Sequence, residues 1–461
     1  MEPVCTIVAL LASFTPALTA RTLENLGVLL RGALLATGQR TVTACLVAAW
    51  PWVSKHWSAY ENVFRRARLN LSVLARTLCR MALALVPSDV PILLVIDESL
   101  VRRYGPYVPA VGMHRDAVRS SRGRHQATPG HKWVVLGVVV RLPFMERPVA
   151  LPVFSVLYTS AKLAKRNRRG PLHRRHRTVV ELALLMVRWV VRWAPGRQFC
   201  LVGDGAYGTH ELAGAFRAAS KHPGLRRVRL VSRFQFDGAT FAPPPAYSGR
   251  GRPRQKGERL PSPAAVAADP ATPWERVGVA WYGATHKVVL VCSRTGLWYR
   301  KGPGAKEVRW VVVRDPEGRR RDEVFFTTAT EMAPKEIVEV FVRRWSIETT
   351  FQEARSLLGL ETLRNWTVEA VRRSVPMLLG VYTLTVVWFA RHVGAPETHK
   401  RHRPWYRKTS VTFSDMLAAA RRDVLSERLS APSGATTDES KVIDSLLGLS
   451  ESQLTPLRRR A

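Results

Sequence analysis

The spacing of apolar residues divides the chain into segments that predict different structures. In residues 1–86 the apolar positions recur at helical spacing, which predicts an N-terminal helical domain. From residue 87 onward they gather in short continuous runs, which are typical of strands buried on both faces of an α/β sheet. We therefore predict an α/β core, with residues 87–235 as its first part.

The continuous apolar runs also predict where the core strands lie. Strands are predicted at 92–96, 133–140, 149–158, 199–203 and 228–231, with an amphipathic helix over 179–193. Two of these strands are followed directly by an acid, Asp97 after the first and Asp204 after the fourth. Each acid, taken alone, is interpreted equally well as a turn residue at a strand end.

Residues 236–330 have a different pattern, which predicts a β-rich insertion followed by return strands. A stretch rich in Pro, Ala and Gly covers 243–273, and short strand-like runs follow at 276–282, 287–292, 310–314 and 323–327. The core resumes over 331–395, where a helix is predicted over 368–391. Residues 396–461 are predicted to form a C-terminal helical region, with a helix over 413–429, and a polar tail.

One long helix is predicted from Pro334 to Gly359. Proline suits the first helical turn, and glycine suits the left-handed residue that follows the last one. Six apolar residues recur at helical spacing and predict a buried stripe: Ile337, Val340, Phe341, Ile347, Phe351 and Leu358.

Four positions of this helix fall on one narrow line beside the buried stripe. At about 100° per residue, Phe341, Arg344, Glu348 and Arg355 lie within roughly 60° of one another. A carboxylate between two guanidinium groups suggests a functional site. The alternative is that Arg344 and Glu348 form an ordinary ion pair one helical turn apart on a solvated face.

The charge of the chain indicates a polyanionic partner. Lys and Arg number 71 against 35 Asp and Glu, a net charge of +36. Such an excess favours nucleic acid, bound with an affinity that falls as salt rises. Basic segments occur at 113–125, 162–177 and 250–254. The basic helix over 60–85 makes 1–86 a candidate DNA-binding domain, although a packing domain with a solvated basic face is the alternative.

Asp97, Asp204 and Glu348 have the chemistry of a carboxylate metal site. Phosphodiester chemistry needs a strong nucleophile at neutral pH and neutralisation of charge on the phosphate, which two Mg²⁺ ions supply. Mg²⁺ prefers hard oxygen ligands and takes one or two carboxylates per ion, so three acids suffice. Mn²⁺ is a possible substitute. Arg344 and Arg355 would then bind DNA phosphates beside the metals.

Several of these segments together resemble bacterial insertion-sequence transposases of the DDE class, in the IS4-type group and closest to its IS701-like branch. The resemblance is carried by Val95–Ser99, Gly130–Val134 and Gly203–Gly208. It is also carried by the helix signature, where the family has Tyr, Arg, Glu and Lys. This sequence has Phe341, Arg344, Glu348 and Arg355 at the same spacing.

The resemblance implies an RNase H-like mixed-sheet core around Asp97, Asp204 and Glu348, with a β-rich insertion before the third acid. It implies hydrolysis at inverted-repeat ends, transfer of the free 3′-OH into target DNA, and two bound Mg²⁺ ions. The implied partner is double-stranded DNA, both as transposon ends and as target. The protein is expected to act on it as a homodimer in the bacterial cytoplasm, at the nucleoid, with no membrane involved. A catalytically inactive DNA-binding relative and a host RNase H-like nuclease are the alternatives.

Overall fold

The computed structural model describes residues 6–121, 123–166, 176–216, 220, 222–247, 249, 252–281 and 286–429. Parts of all three predicted basic segments lie outside these residues, namely 122, 167–175 and 250–251. The end of the predicted strand over 276–282 and the polar tail from 430 onward also lie outside them.

The helices and strands have the following bounds. The helices are α1 (Ala20–Leu35), α2 (Val42–Ala48), α3 (Trp57–Arg65), α4 (Leu71–Leu83), α5 (Ala161–Arg166), α6 (Val179–Trp193), α7 (His210–Ala215), α8 (Pro263–Ala268), α9 (Pro334–Arg343), α10 (Trp345–Leu358), α11 (Val368–His392) and α12 (Phe413–Leu429). The strands are β1 (Ile92–Arg102), β2 (Gly112–Arg115), β3 (Ala127–Val140), β4 (Val149–Tyr158), β5 (Phe199–Gly203), β6 (Val228–Arg233), β7 (Thr240–Phe241), β8 (Glu275–Ala280), β9 (His286–Arg300), β10 (Gly304–Arg314) and β11 (Glu323–Thr327).

These elements belong to two compact units. The helical unit comprises Met1–Thr77 and Glu353–Ala461, and the sheet unit comprises Leu78–Gln352. The boundaries between the units fall inside α4 and α10. The first helices of the chain therefore share a unit with its last helices, although more than 270 residues separate them in sequence.

Polar contacts join the two ends of the chain within the helical unit. Arg31 on α1 pairs with Glu427 on α12 at 2.7 Å, and the Ile7 N–H donates to Asp423 Oδ2 at 2.9 Å. Helix α11 is the one described helix that is long and apolar enough to cross a membrane. Most of it is buried inside the protein, and it contains Pro376.

The sheet unit is built on one mixed sheet, to which the described residues contribute eleven strands. Its order is β2-β3-β1-β5-β6-β11-β10-β9-β7, with β4 also paired to β3 and β8 to β9. Strand β3 is antiparallel to β1 and β4, whereas β5 is parallel to both β1 and β6. The run β4-β3-β1-β5-β6 is the strand order of an RNase H-like core, so the predicted fold class is confirmed.

The β-rich residues after β6 continue this same sheet. Strand β11 pairs antiparallel with β6, β10 pairs with β11, and β9 pairs with β10. The two remaining strands, β7 and β8, both pair with β9. In the described part of 236–330, these strands therefore extend the core sheet rather than form one of their own.

The predicted strand end at Ile96 and the predicted single helix over 334–359 were both wrong. Strand β1 continues through Asp97 to Arg102, because its long antiparallel partner β3 supplies backbone hydrogen bonds along this whole length. The helix is interrupted at Arg344, whose N–H bonds to the Phe341 carbonyl at 3.0 Å, three residues back. This single tightened turn separates α9 from α10.

The apolar stripe of that helical segment is buried as predicted. All six of its residues are at most 6% exposed: Ile337, Val340, Phe341, Ile347, Phe351 and Leu358. Gly359 has φ +62°, in the left-handed region predicted for the residue after the helix. The tightened turn therefore leaves the buried face of the segment continuous.

Candidate active site

Parallel pairing of β1 with β5 brings two of the predicted acids to neighbouring positions. The last pair in the ladder joins Ile96 to Gly203, and the next residue on each chain segment is an aspartate. Asp97 lies within β1, whereas Asp204 lies just past the end of β5. The sheet thus places Asp97 and Asp204 side by side at one edge of its parallel core.

A tight turn fixes the backbone at Asp204. The Ala206 N–H donates to Asp204 Oδ1 at 2.9 Å, which closes the turn on its own side chain. From the neighbouring strand β6, Ser232 Oγ donates to the carbonyl oxygen of Asp204 at 2.7 Å. Both the main chain and the side chain of Asp204 are therefore held, while its Oδ2 faces no donor among the described residues.

Tyr207 lies in the turn after Asp204 and links this turn to Glu98 on β1. Its ring is fully buried, and its hydroxyl donates to Glu98 Oε1 at 3.2 Å. Glu98 also pairs with Lys132 on β3. A Cβ on Gly203 would lie 2.8 Å from Tyr207 Cβ, so glycine permits the ring to pack here. This contact between Tyr207 and Glu98 was not predicted from the sequence. The tyrosine in the Gly203–Gly208 motif was the only indication of it in the sequence.

Arg344 links the third predicted acid to the first. Its Nη1 donates to Asp97 Oδ2 at 2.7 Å, and its Nη2 bonds to Glu348 Oε1 at 2.7 Å. The arginine side chain is only 11% exposed. The i,i+4 pair that we considered as the ordinary alternative is present. However, it lies against the core strand rather than on a solvated face, and sequence reasoning missed the bond to Asp97.

The surroundings of Asp97 disfavour its negative charge. Burial raises the pKa of Asp97 to about 7; Arg344 opposes this shift, whereas Asp204 and Glu348 add to it. Although burial opposes its charge, the carboxylates of Asp97 and Glu348 raise the pKa of Arg344 above its ordinary value. The site therefore holds three acids around a single buried guanidinium, which compensates their charge only in part.

The remaining two signature residues have contacts of a different kind. Phe341 is 1% exposed and stacks on Phe325, with ring centroids 4.1 Å apart. The Arg344 guanidinium lies over the Phe341 ring, 5.7 Å from its centroid, at the distance of a cation–π contact. Arg355 pairs with Glu361 at 3.3 Å. The DNA phosphate contacts predicted for Arg344 and Arg355, and the role of Phe341 as a signature position of that DNA-binding set, stay predictions.

A comparison with known sequence families decides the class of the protein. Residues 13–288, more than half of the chain, match the family described as DDE superfamily endonuclease. The protein belongs to this family. The matched region contains Asp97 and Asp204 and ends before the helix that carries Glu348. Endonucleases of this family generally use divalent metal ions.

Curated sequences and solved structures give different results for this member of the family. No curated protein matches its sequence. Among solved structures, it is similar to the piggyBac transposase in a cryo-EM synaptic complex with hairpin DNA. That similarity has a TM-score of 0.40 and 10% sequence identity, and it covers 96% of this chain and 78% of the other.

The donor set of the endonuclease has the chemistry that a divalent metal requires. Asp97, Asp204 and Glu348 offer hard carboxylate oxygens, the ligands that Mg²⁺ prefers. A bound cation would also relieve the repulsion that helps to raise the pKa of Asp97. As the described residues stand, no three of His, Cys, Asp and Glu form a ready metal-binding group. Arg344 takes one oxygen each of Asp97 and Glu348.

Proposed function

We propose that this DDE endonuclease is a DNA transposase of the IS4-type group, in its IS701-like branch. It would cut DNA at the inverted repeats of an insertion sequence and join the free 3′-OH to target DNA. The observation that carries the proposal is the placement of Asp97 beside Asp204 on parallel segments, with Glu348 linked to Asp97 through Arg344. The net charge of +36 supports a nucleic acid as substrate.

Asp97, Asp204 and Glu348 would hold the metal ions, which we propose to be two Mg²⁺ or Mn²⁺. When bound, these ions supply charge neutralisation for a phosphate and a lowered pKa for the attacking water or 3′-OH. Ser232 and Tyr207 hold the turn that carries Asp204, and Arg344 orients Glu348 toward β1. The chain's own part is thus to hold Asp97 beside Asp204 and to link Glu348 to Asp97 through Arg344.

The proposal includes two DNA ends and two protein copies. Because excision of an element requires both of its ends to be cut, we propose that the protein acts as a homodimer on double-stranded DNA. The chemistry would take place in the bacterial cytoplasm at the nucleoid. Arg344 and Arg355 would contact DNA phosphates, since guanidinium groups bind phosphate through paired hydrogen bonds.

The test is a cleavage assay on a labelled duplex that carries the repeats flanking the gene. The reactions contain Mg²⁺, Mn²⁺ or EDTA, and they compare the wild type with Glu348→Gln. Glu336→Gln is the matched control, because Glu336 is exposed in the first turn of α9. We expect cutting at the repeat boundary by the wild type and the control, and none by Glu348→Gln or in EDTA.

Other results would reject the proposal in different ways. Cutting by Glu348→Gln at the wild-type rate would remove Glu348 from the chemistry. Binding of the ends without any cutting would indicate a catalytically inactive DNA-binding relative. Equal cutting of unrelated or branched substrates would indicate a host RNase H-like nuclease.

A further inference from the structure

A short hairpin between α11 and α12 presents two aromatic side chains to solvent. The Arg403 N–H donates to the Tyr406 carbonyl at 2.9 Å, and the Tyr406 N–H donates to the Arg403 carbonyl at 3.0 Å. Pro404 and Trp405 form the turn between them. Trp405 is 82% exposed and Tyr406 is 58% exposed, so most of the indole surface is free of protein.

One buried carboxylate holds both ends of this hairpin in place. Asp415 on α12 is 1% exposed and accepts hydrogen bonds from Lys408 Nζ at 2.7 and 2.8 Å. It also accepts the backbone N–H of Arg401 at 3.2 Å and the Thr412 hydroxyl at 2.7 Å. Lys408 follows the hairpin and Arg401 precedes it. The aromatic pair is therefore carried on a fixed support.

The hairpin is strongly basic and contains no acid. From residue 400 to residue 408 the sequence reads Lys-Arg-His-Arg-Pro-Trp-Tyr-Arg-Lys. Asp415 and Glu397 engage Lys408, Arg401 and Lys400. Arg403 and Arg407, which flank the aromatic pair, make no ion pair within the described residues. Two positive charges are thus left beside an exposed indole.

We propose that this hairpin binds single-stranded DNA, with Trp405 stacking on an unpaired base and Arg403 and Arg407 contacting the flanking phosphates. Aromatic side chains on a basic support are the usual elements of single-strand binding, because every base offers a π-face. The positive charge favours a nucleic acid over an apolar protein partner. A duplex is less suited, because side chains that wedge into base steps are typically aliphatic residues, Phe or Pro.

The inference rests on the proposed function only for the source of the single strand, which would be a DNA end opened at the cut. The binding itself needs no cleavage and no metal. It can therefore be measured in EDTA on the full-length protein.

The experiment measures fluorescence anisotropy of a labelled single-stranded oligonucleotide and of the duplex with the same sequence. It compares the wild type with Trp405→Ala, Trp405→Phe and Trp50→Ala. Trp50 is the matched control, because it lies in the same unit and is 72% exposed but is not flanked by arginine in the sequence. Thermal melts by circular dichroism verify that each variant is folded.

We expect Trp405→Ala to weaken single-strand binding by about 5- to 150-fold, which corresponds to the 1–3 kcal/mol of one base–aromatic stack. Trp405→Phe should retain most of the single-strand affinity that Trp405→Ala loses. The affinity for duplex should not change in either variant. Removing both Arg403 and Arg407 should lower the slope of log affinity against log salt by about 1.4 for a single strand.

Three results would overturn the inference. They are unchanged single-strand binding by Trp405→Ala, an equal loss on duplex, and an equal loss in Trp50→Ala. If the protein cuts no DNA at all but Trp405→Ala still loses single-strand binding, the proposed function fails and the hairpin inference stands. If end cutting is observed and Trp405→Ala binds like the wild type, only the hairpin inference fails.

Discussion

Two aspartates with little solvent exposure, one in each unit, have opposite electrostatic surroundings. The Asp97 side chain is 15% exposed, and Arg344, its one basic partner among the described residues, also pairs with Glu348. Asp415 is fully buried at the side chain but accepts hydrogen bonds from Lys408, Arg401 and Thr412. Burial raises the pKa of Asp97 to about 7, whereas the donors around Asp415 lower its pKa despite burial.

The difference separates an acid that can bind a ligand from one that holds the fold together. Each oxygen of Asp415 accepts three hydrogen bonds, from Lys408, Arg401 and Thr412, so its lone pairs are used within the fold. Each oxygen of Asp97 accepts only one among the described residues, from the Glu98 N–H or from Arg344. Asp97 lies among more negative charge than Arg344 can neutralise, so a cation would gain by binding there. Burial alone does not distinguish the two residues; the number of donors does.

The largest expected effect comes from removing the charge of Asp97. Asp97→Asn keeps an oxygen to accept from Arg344 but removes one of the three negative charges. We expect metal-dependent cleavage to fall on the order of 10³-fold, equivalent to about 4 kcal/mol, because a metal ligand is lost. Single-turnover cleavage of the repeat duplex measures this rate. A variant that cuts at the wild-type rate would show that Asp97 is a structural acid like Asp415.

Asp415→Asn should affect stability instead of chemistry. It leaves Lys408 and Arg401 without their shared carboxylate, and breaking a buried ion pair costs about 3–5 kcal/mol. We expect the helical unit to unfold at lower denaturant concentration, as followed by circular dichroism. At low temperature, where the protein stays folded, its single-turnover cleavage rate at saturating DNA should equal that of the wild type, although loss of the hairpin's support should weaken single-strand binding. A loss of this single-turnover cleavage in fully folded Asp415→Asn would contradict the interpretation of Asp415 as a purely structural acid.

The pH dependence of stability should differ between the wild type and Asp97→Asn when metal is removed. The folded pKa of Asp97, about 7, lies above its unfolded value near 3.9, so folded protein keeps a proton that unfolded protein has lost. Stability from this group therefore falls as pH rises from about 4 to 7. Relative to the variant, the wild type should lose roughly 3–4 kcal/mol across this window, at about 1.4 kcal/mol per pH unit. Melting temperatures in EDTA at each pH give the comparison, and parallel curves would contradict it.

The smallest expected effect is stabilisation by metal. Mg²⁺ at ten times its dissociation constant should stabilise the folded wild type by about 1.4 kcal/mol, since it binds the folded state alone. The melting temperature should rise with Mg²⁺ in the wild type and in Asp415→Asn. It should stay constant in Asp97→Asn. A rise of equal size in all three proteins would place the metal elsewhere.

Local elements of this fold were predicted well because short-range patterns determine them. The bounds predicted for β4, α6, β11 and α12 agree with the structure. Each of these elements is a run of apolar residues or an amphipathic helix, and pairing with its neighbours in the structure does not lengthen or shorten it. The end of β1 was misplaced, because Asp97, Glu98 and Ser99 look like a strand end unless the pairing with β3 is known.

The candidate site was predicted as a set of residues but not as an arrangement. The sequence indicated Asp97, Asp204 and Glu348, and the structure brings Asp97 beside Asp204 and links Glu348 to Asp97. That Arg344 bonds to Asp97 was not predictable, because the two residues are 247 positions apart in sequence. The hairpin at Trp405 escaped notice for a different reason, since exposure cannot be read from composition.

The continuous sheet limits how the length of this chain can change in evolution. Phe325 on β11 stacks under Phe341, and β11 pairs directly with core strand β6. Since side chains alternate between the two faces of a sheet, one residue gained or lost inside β11 would turn Phe325 away from Phe341. Insertions and deletions should therefore be confined to connections such as 315–322, and strand lengths should change only in steps of two residues.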